Sequence, residues 1–419
     1  MFGYRRAPAV VAMVAIGASL GCRTSTSQIP LSMPSPMPRV TPAEKPANTI
    51  DAPAVSNHPW RPVHKGGASL SSGVYTRVDD DLVVNTPLPI VLRRTYNSGD
   101  GFSRRFGLDA NHAGEWWLRG NSDPRVPWAE LILPSDSRIR FTRISPGETR
   151  EGAVLRHDSS PSEFNGALLS WSGSRWEMRF QDGGTAAFKT CEKGPAVCSL
   201  IERTDHEGHR IDYVRDPSGT LLRMESEGQS IAFDYDDQRR IVRAYDTSQH
   251  AVSYLYDDRG RLIQASGTDG VVRRYEYDEG NHLVGVREPG RILQNWFDEA
   301  GRWVKQVLKD SEQDPHPYVA TARYVVEDGA IVETDFNEGD GLIIERYNTH
   351  RYIVSETLDA DGPAPIVFAY ALDPISNVST GATMSCVGPS GPVTRTAPIA
   401  STDHGAKEAL IRESCPRHR

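Results

Sequence analysis

The chain has 419 residues, of which 38% are hydrophobic and 24% charged, with a formal net charge of -8. This balance excludes a mainly disordered chain. No block of Lys and Arg is long enough to act as a nucleic-acid footprint, so no nucleic-acid partner is expected.

Residues 1–21 read as a targeting segment. Arg5 and Arg6 precede an apolar run from Ala7 to Leu20, which is too short to span a bilayer. The run ends in Ser19-Leu20-Gly21-Cys22, which resembles a bacterial lipoprotein signal. That resemblance implies acylation at Cys22, export, and a membrane reached through the lipid, with the outer membrane as the implied location. An ordinary cleaved signal is the alternative. From Cys22 to Lys65, Pro, Ser, Thr and Ala dominate, as in an extended tether. Fully stretched, such a segment reaches on the order of 130 Å.

From Gly66 to Lys189 the pattern turns to short strands. Leu88, Ile90, Leu92, Arg94 and Tyr96 alternate with Val91, Arg93 and Thr95, predicting a half-buried strand. Further runs predict strands at Glu115–Leu118, Ala129–Leu133, Arg138–Thr142, Leu168–Trp171, Trp176–Phe180 and Thr185–Lys189. Glycine (36) and proline (29) are plentiful, and no long stretch has the 3.6-residue period of a helix.

Besides Cys22 there are four cysteines, an even number suited to an oxidising compartment. Cys191 and Cys198 bracket a short loop, and Cys386 and Cys415 bracket most of the C-terminal tail. Because each pair is local and the chain reads as exported, Cys191–Cys198 and Cys386–Cys415 are the expected bonds. The spacings do not suit zinc, and neither metal nor cofactor is expected.

Residues 190–345 contain a repeat. Asp216, Asp236, Asp257, Asp278 and Asp298 lie 20, 21, 21 and 20 residues apart. Three positions on stand Gly219, Arg239, Gly260, Asn281 and Gly301, and five on stand Leu221, Ile241, Leu262, Leu283 and Trp303. The residues just before each Asp are Arg215, Tyr235, Tyr256, Tyr277 and Phe297. The physical reading is a hairpin module: aromatics on one strand face, an Asp closing the turn, and Gly or Asn taking positive φ. Stacked copies should align their rings as a ladder. Arg239 breaks the pattern and predicts a different turn at that copy. Five copies predict ten strands, enough for a curved sheet about 48 Å long but not for a sealed chamber.

At Tyr256–Leu262 the sequence Tyr-Asp-x-x-Gly-Arg-Leu resembles the YD repeat of Rhs and teneurin-like proteins. The segment around Arg94-Thr95-Tyr96 is similar to the domain that precedes those repeats. The resemblance spans Gly66 to Glu345 and implies a mainly β fold: a β-rich N-terminal domain leading into a curved antiparallel hairpin ribbon. Residues 346–419 read as a degenerate repeat at Asp373–Asn377 and a tail with one short helix, Asp403 to Glu413.

Catalytic signatures are weaker. His206 and His209 sit in a repeat-type turn, and Asp335–Gly341 matches a calcium loop poorly. Trp116, Trp117, Trp128, Trp171 and Trp176 suit a core, with a sugar-stacking surface as the alternative. The expected function is non-enzymatic: an envelope-tethered β-scaffold that binds carbohydrate or protein at the cell surface. The alternatives are an accessory or remnant of an Rhs toxin system, and a carbohydrate-active enzyme.

Overall fold

The computed structural model describes residues 67–415, apart from 121–124, 135–136, 161, 190–196, 340, 389 and 402. The segments read as signal and tether, with Cys22, therefore lie outside the described residues, as does Cys191. Among the described residues, thirty strands and one helix make the fold mainly β.

Eight strands close into an antiparallel ring: Trp117–Gly120, Trp128–Ile132, Arg138–Arg143, Val154–Arg156, Leu168–Trp171, Trp176–Arg179, Thr185–Phe188 and Val197–Thr204. Closure comes from Val197, Cys198 and Ser199 pairing with Arg119, Leu118 and Trp117. A ring of this size leaves an interior that side chains can fill. Leu131, Ile139, Phe141, Leu155, Met178 and Leu200 fill it, each with no exposed surface. Alternation places six of these strands; it missed the short Val154–Arg156 and cannot show that the eighth strand, beyond Lys189, returns to the first.

That eighth strand is also a fork. Its Glu202, Arg203 and Thr204 pair with Asp212, Ile211 and Arg210 and so start a second, open ribbon. The ribbon meanders through seventeen strands, from Arg210–Arg215 to Gly391–Ala397, each antiparallel to the next. It is longer than the ten strands expected, and its pairing continues past Glu345. Each repeat carries a register shift beside the residue that precedes the turn Asp or Asn, as between Leu255 and Tyr256 and between Arg346 and Tyr347. Such bulges strengthen the local twist, and their recurrence coils the ribbon.

The first described residues form a three-stranded sheet of Thr76–Val84, Ile90–Asn97 and Ala110–His112. Its Ile90, Leu92 and Tyr96, with Phe106 from the connection that follows, share one core with Tyr254, Tyr275, Leu283 and Trp303 of the ribbon. The opening segment is thus packed into the repeat array rather than standing before it.

At the far end, Ile366, Phe368, Tyr370, Met384 and Cys415 form a second core. The helix His404–Ser414 packs there, capped by Asp403, which accepts the Ala406 N–H. Cys386 and Cys415 are joined as expected. Cys198 is also disulfide-bonded; its expected partner, Cys191, lies outside the described residues. Among the described residues no helix is long and apolar enough to cross a membrane.

Candidate functional site

Each repeat turn is built around its Asp. Asp257 N–H donates to Arg261 O at 3.0 Å, and Gly260 N–H donates to Asp257 O at 3.0 Å. Asp257 Oδ1 accepts from Arg259 N at 3.0 Å and Arg261 N at 2.9 Å, while Oδ2 accepts from Arg261 Nε at 2.7 Å. Burial raises the proton affinity of Asp257, but these donors outweigh it and hold the carboxyl below its ordinary range. Asp236 and Asp298 make the same set with Arg240 and Arg302, and Asp278 makes it with His282.

Gly260, Gly301 and Asn281 take positive φ at 78°, 73° and 68°. Arg239 does too, at 62°, with the same two backbone bonds. The different turn expected at Arg239 is therefore absent: the bonds to Asp236 outweigh the cost of a left-handed Arg.

The tyrosines are fixed across repeats. Tyr235 donates to Leu221 O at 2.5 Å, Tyr256 to Ile241 O at 2.6 Å, and Tyr277 to Leu262 O at 2.9 Å. Phe297 has no hydroxyl, and Asn295 supplies the bond instead, donating to Leu283 O at 3.1 Å. The expected ring-on-ring ladder is not what fills the space between copies. The Arg240 guanidinium lies 4.4 Å from the Tyr256 ring centroid, Arg261 lies 5.1 Å from Tyr277, and His282 stacks on Phe297 at 4.6 Å. Successive repeats therefore alternate a turn carboxylate, the Arg or His side chain it holds and the next ring, and for Arg240 and Arg261 the guanidinium suits the negative face of that ring.

This slot, four residues after the Asp, was missed in the sequence, although Arg240, Arg261, His282 and Arg302 recur in it with the repeat period; after Asp216 it holds Thr220. Two further turns were missed. Asn348 stands where Asp is usual, its Oδ1 accepting from His350 N and Tyr352 N. Asp246 and His250 close the opposite end of a hairpin in the same way.

The opening segment docks on this array through the repeats' own backbone. Ile241 N–H donates to Arg105 O at 2.8 Å, Leu283 N–H to Tyr96 Oη at 3.1 Å, and Trp303 N–H to Gly73 O at 2.8 Å. Leu108 N–H donates to Gly260 O at 3.0 Å. Gly107 makes the approach possible: a Cβ there would lie 2.2 Å from Gly260 O.

Under the same sheet lies a buried charge cluster. Arg94 donates through Nε to Asp81 Oδ2 at 2.8 Å and through Nη2 to Tyr275 Oη at 2.6 Å, and it lies 3.2 Å from Asp79. Tyr254 donates to Asp81 at 2.9 Å, Arg273 approaches Asp81 at 3.4 Å, and Arg77 holds Asp79 at 2.7 Å. Burial pushes the Asp79 carboxyl up, but Arg94 and Arg77 outweigh it and hold it low. A second cluster sets Arg215 against Glu115 at 3.0 Å beside His112. Burial pulls the His112 imidazole down to about 4, so it is neutral at pH 7. Both clusters join the opening segment to the array, and their charged groups face protein partners, while His112 Nε2 lies 3.6 Å from Glu115 and makes no hydrogen bond. The sequence placed Arg94 on the apolar face without finding its partners, which lie up to 181 residues away by numbering.

The other candidates also resolve into turns and packing. His209 bonds Asp205 at 2.8 Å in a further repeat turn, and Asp335 pairs with Arg323. Trp116 and Trp176 are buried, and Arg guanidiniums cover one face each of Trp116, Trp128 and Trp171. Among the described residues no group of three or more His, Cys, Asp or Glu is placed to hold a metal ion.

The RHS Repeat family profile matches residues 256–292, and that of a domain of unknown function, DUF6531, matches residues 69–141. A search of curated proteins returns no match. Among solved structures, the chain is similar to TcdB2-TccC3 without its hypervariable C-terminal region, at 10% identity and TM-score 0.33, over 76% of this chain and 22% of that one. It is also similar to TcdB2-TccC3-Cdc42, at 11% identity and TM-score 0.29, over 64% and 20%. The Photorhabdus luminescens Tc holotoxin pore matches at 11% identity and TM-score 0.27, over 78% and 21%. The chain spans about a fifth of the length of these proteins.

Proposed function

We propose that this RHS-repeat chain is a non-enzymatic binding scaffold of the cell envelope, held to a membrane by a lipid on Cys22. The observation that carries the reading is the use of the repeat residues. The carboxyls of Asp236, Asp257, Asp278 and Asp298 and the hydroxyls of Tyr235, Tyr256 and Tyr277 are all engaged in bonds that hold one strand to the next. Groups so committed favour a rigid frame over proton transfer. An extended segment between Cys22 and the frame would let it stand clear of a surface. Detergent partitioning and membrane fractionation of wild type and Cys22→Ser test the anchor: the wild type is expected in the membrane fraction and the variant in the soluble one. Equal partitioning would sink the proposal. A second reading, an accessory of an RHS toxin system, is favoured by the RHS repeat itself, and neighbouring genes for secretion or immunity proteins would support it.

A further inference from the structure

A cavity of about 250 Å³ opens where three parts of the chain meet. Ser162 and Asn165 come from the loop after the ring strand Val154–Arg156, Tyr352 and Asn377 come from ribbon turns, and Ser401 comes from the connection to the helix. Ile353, Leu372, Val378 and Ala400 supply apolar wall. Among the described residues, no Asp, Glu, Lys, Arg or His side chain lines it. Its volume lies below the roughly 300 Å³ at which drug-sized sites begin, so it suits an occupant of about one ring.

The polar lining is held in place. His157 Nδ1 lies 2.7 Å from Arg140 O, and Nε2 lies 2.6 Å from Ser160 Oγ. A carbonyl can only accept, so Nδ1 carries the proton. Burial pulls the His157 imidazole down, leaving it neutral, so Nε2 accepts from the Ser160 hydroxyl. Ser160 Oγ, 2.8 Å from Ser162 Oγ, is then left to accept from Ser162. The relay turns the Ser162 proton away, and its oxygen meets the cavity as an acceptor, with Phe164 N–H donating to it at 3.3 Å. Asn165 spends Nδ2 on Ser160 O at 2.8 Å, which leaves Oδ1 as a second acceptor, and Asn377 Oδ1 accepts from Asn348 at 3.4 Å, which leaves its Nδ2 as a donor.

The geometry points to a binding site for one neutral sugar residue, its hydroxyls on Ser162, Asn165 and Asn377 and its C–H face on the apolar wall. Neutral hydroxyl and amide groups satisfy a ring that both donates and accepts, whereas a carboxylate or ammonium would enter without a counter-charge. This deepens the binding reading above by naming a ligand class. It does not depend on the anchor, so fractionation of Cys22→Ser and the experiment below fail separately.

The test is saturation-transfer NMR on the full chain with glucose, galactose and N-acetylglucosamine as probes and glucuronate as the anionic comparator. At least one neutral sugar should receive saturation, and glucuronate should receive at least tenfold less. Ser401→Phe, which fills the cavity, and Asn165→Ala, which removes an acceptor, should each cut the transfer at least tenfold while the melting midpoint is kept. Should Ser401→Phe unfold, Asn165→Ala carries the comparison. Silence from all three neutral sugars, equal transfer to glucuronate, or transfer that survives in a folded variant would overturn the site.

Discussion

At the scale of the residue, the repeat positions differ in what they hold. Tyr256 donates one hydrogen bond and presents a half-buried ring to Arg240. Tyr256→Phe should cost about 1 kcal/mol, and Tyr256→Ala about 3 kcal/mol, in denaturant melts. Asp257→Asn keeps the Oδ1 bonds but turns an amide toward Arg261, so it should cost more than Tyr256→Phe. Asp109 is the exception among the carboxyls. It is buried, at φ 61°, with Gly101 N–H donating to Oδ1 at 2.5 Å and Arg104 committed to Asp100. Burial pushes its carboxyl up to about 7. The folded state therefore binds this proton more tightly than the unfolded one, and the contribution is lost as pH rises from about 4 to about 7, by up to roughly 4 kcal/mol. His112, pulled down to about 4, works the other way: the folded state binds its proton less tightly, and stability is lost as pH falls through the same window. The two offset in the wild type. Asp109→Asn, which tolerates positive φ, should be more stable than wild type at pH 8 and lose that advantage at pH 4. Equal wild-type and variant curves at both pH values would refute this account.

At the scale of the element, the opening sheet is held to the ribbon by charge as well as by apolar contact. Arg94→Met would leave Asp79 and Asp81 buried with only Arg77 and Arg273 near them, a loss of about 3–5 kcal/mol. Adding Asp81→Asn should recover part of that loss in equilibrium unfolding, whereas two independent sites would simply add. The strand Ile90–Asn97 was legible in the sequence because alternation reports burial, whereas Thr76–Val84 and Ala110–His112 were not expected as strands. Ile90, Leu92, Arg94 and Tyr96 are indeed the buried face. Thr95 and Asn97 are buried as well, since Ala110–His112 pairs along that strand, a cover no local pattern announces. The helix was legible from Asp403, whose side chain caps it.

At the scale of the whole molecule, the far end of the ribbon is closed by that helix. Lys407 reaches Glu356 at 2.7 Å, and Tyr370 donates to the same carboxylate at 2.8 Å. The Cys386–Cys415 bond, across 29 residues, should add about 3.5 kcal/mol through the restricted unfolded chain. Replacing both cysteines by serine should lower the melting midpoint and raise amide exchange in His404–Ser414 first; unchanged exchange there would count against the pinning role. The repeat, its turns and most of its strands were legible in the sequence, because each depends on residues within about twenty positions of one another. Its reading stopped short where a slot changed identity, as at Arg239 and Asn348, since one residue type can replace another when the same bonds are made. That eight strands close into a ring, that the opening segment packs into the array and that Arg94 meets Tyr275 emerged from the folded chain alone. Those contacts join segments far apart in the chain, and their partners are chosen by the shape and charge of a surface that exists only after the repeats have stacked.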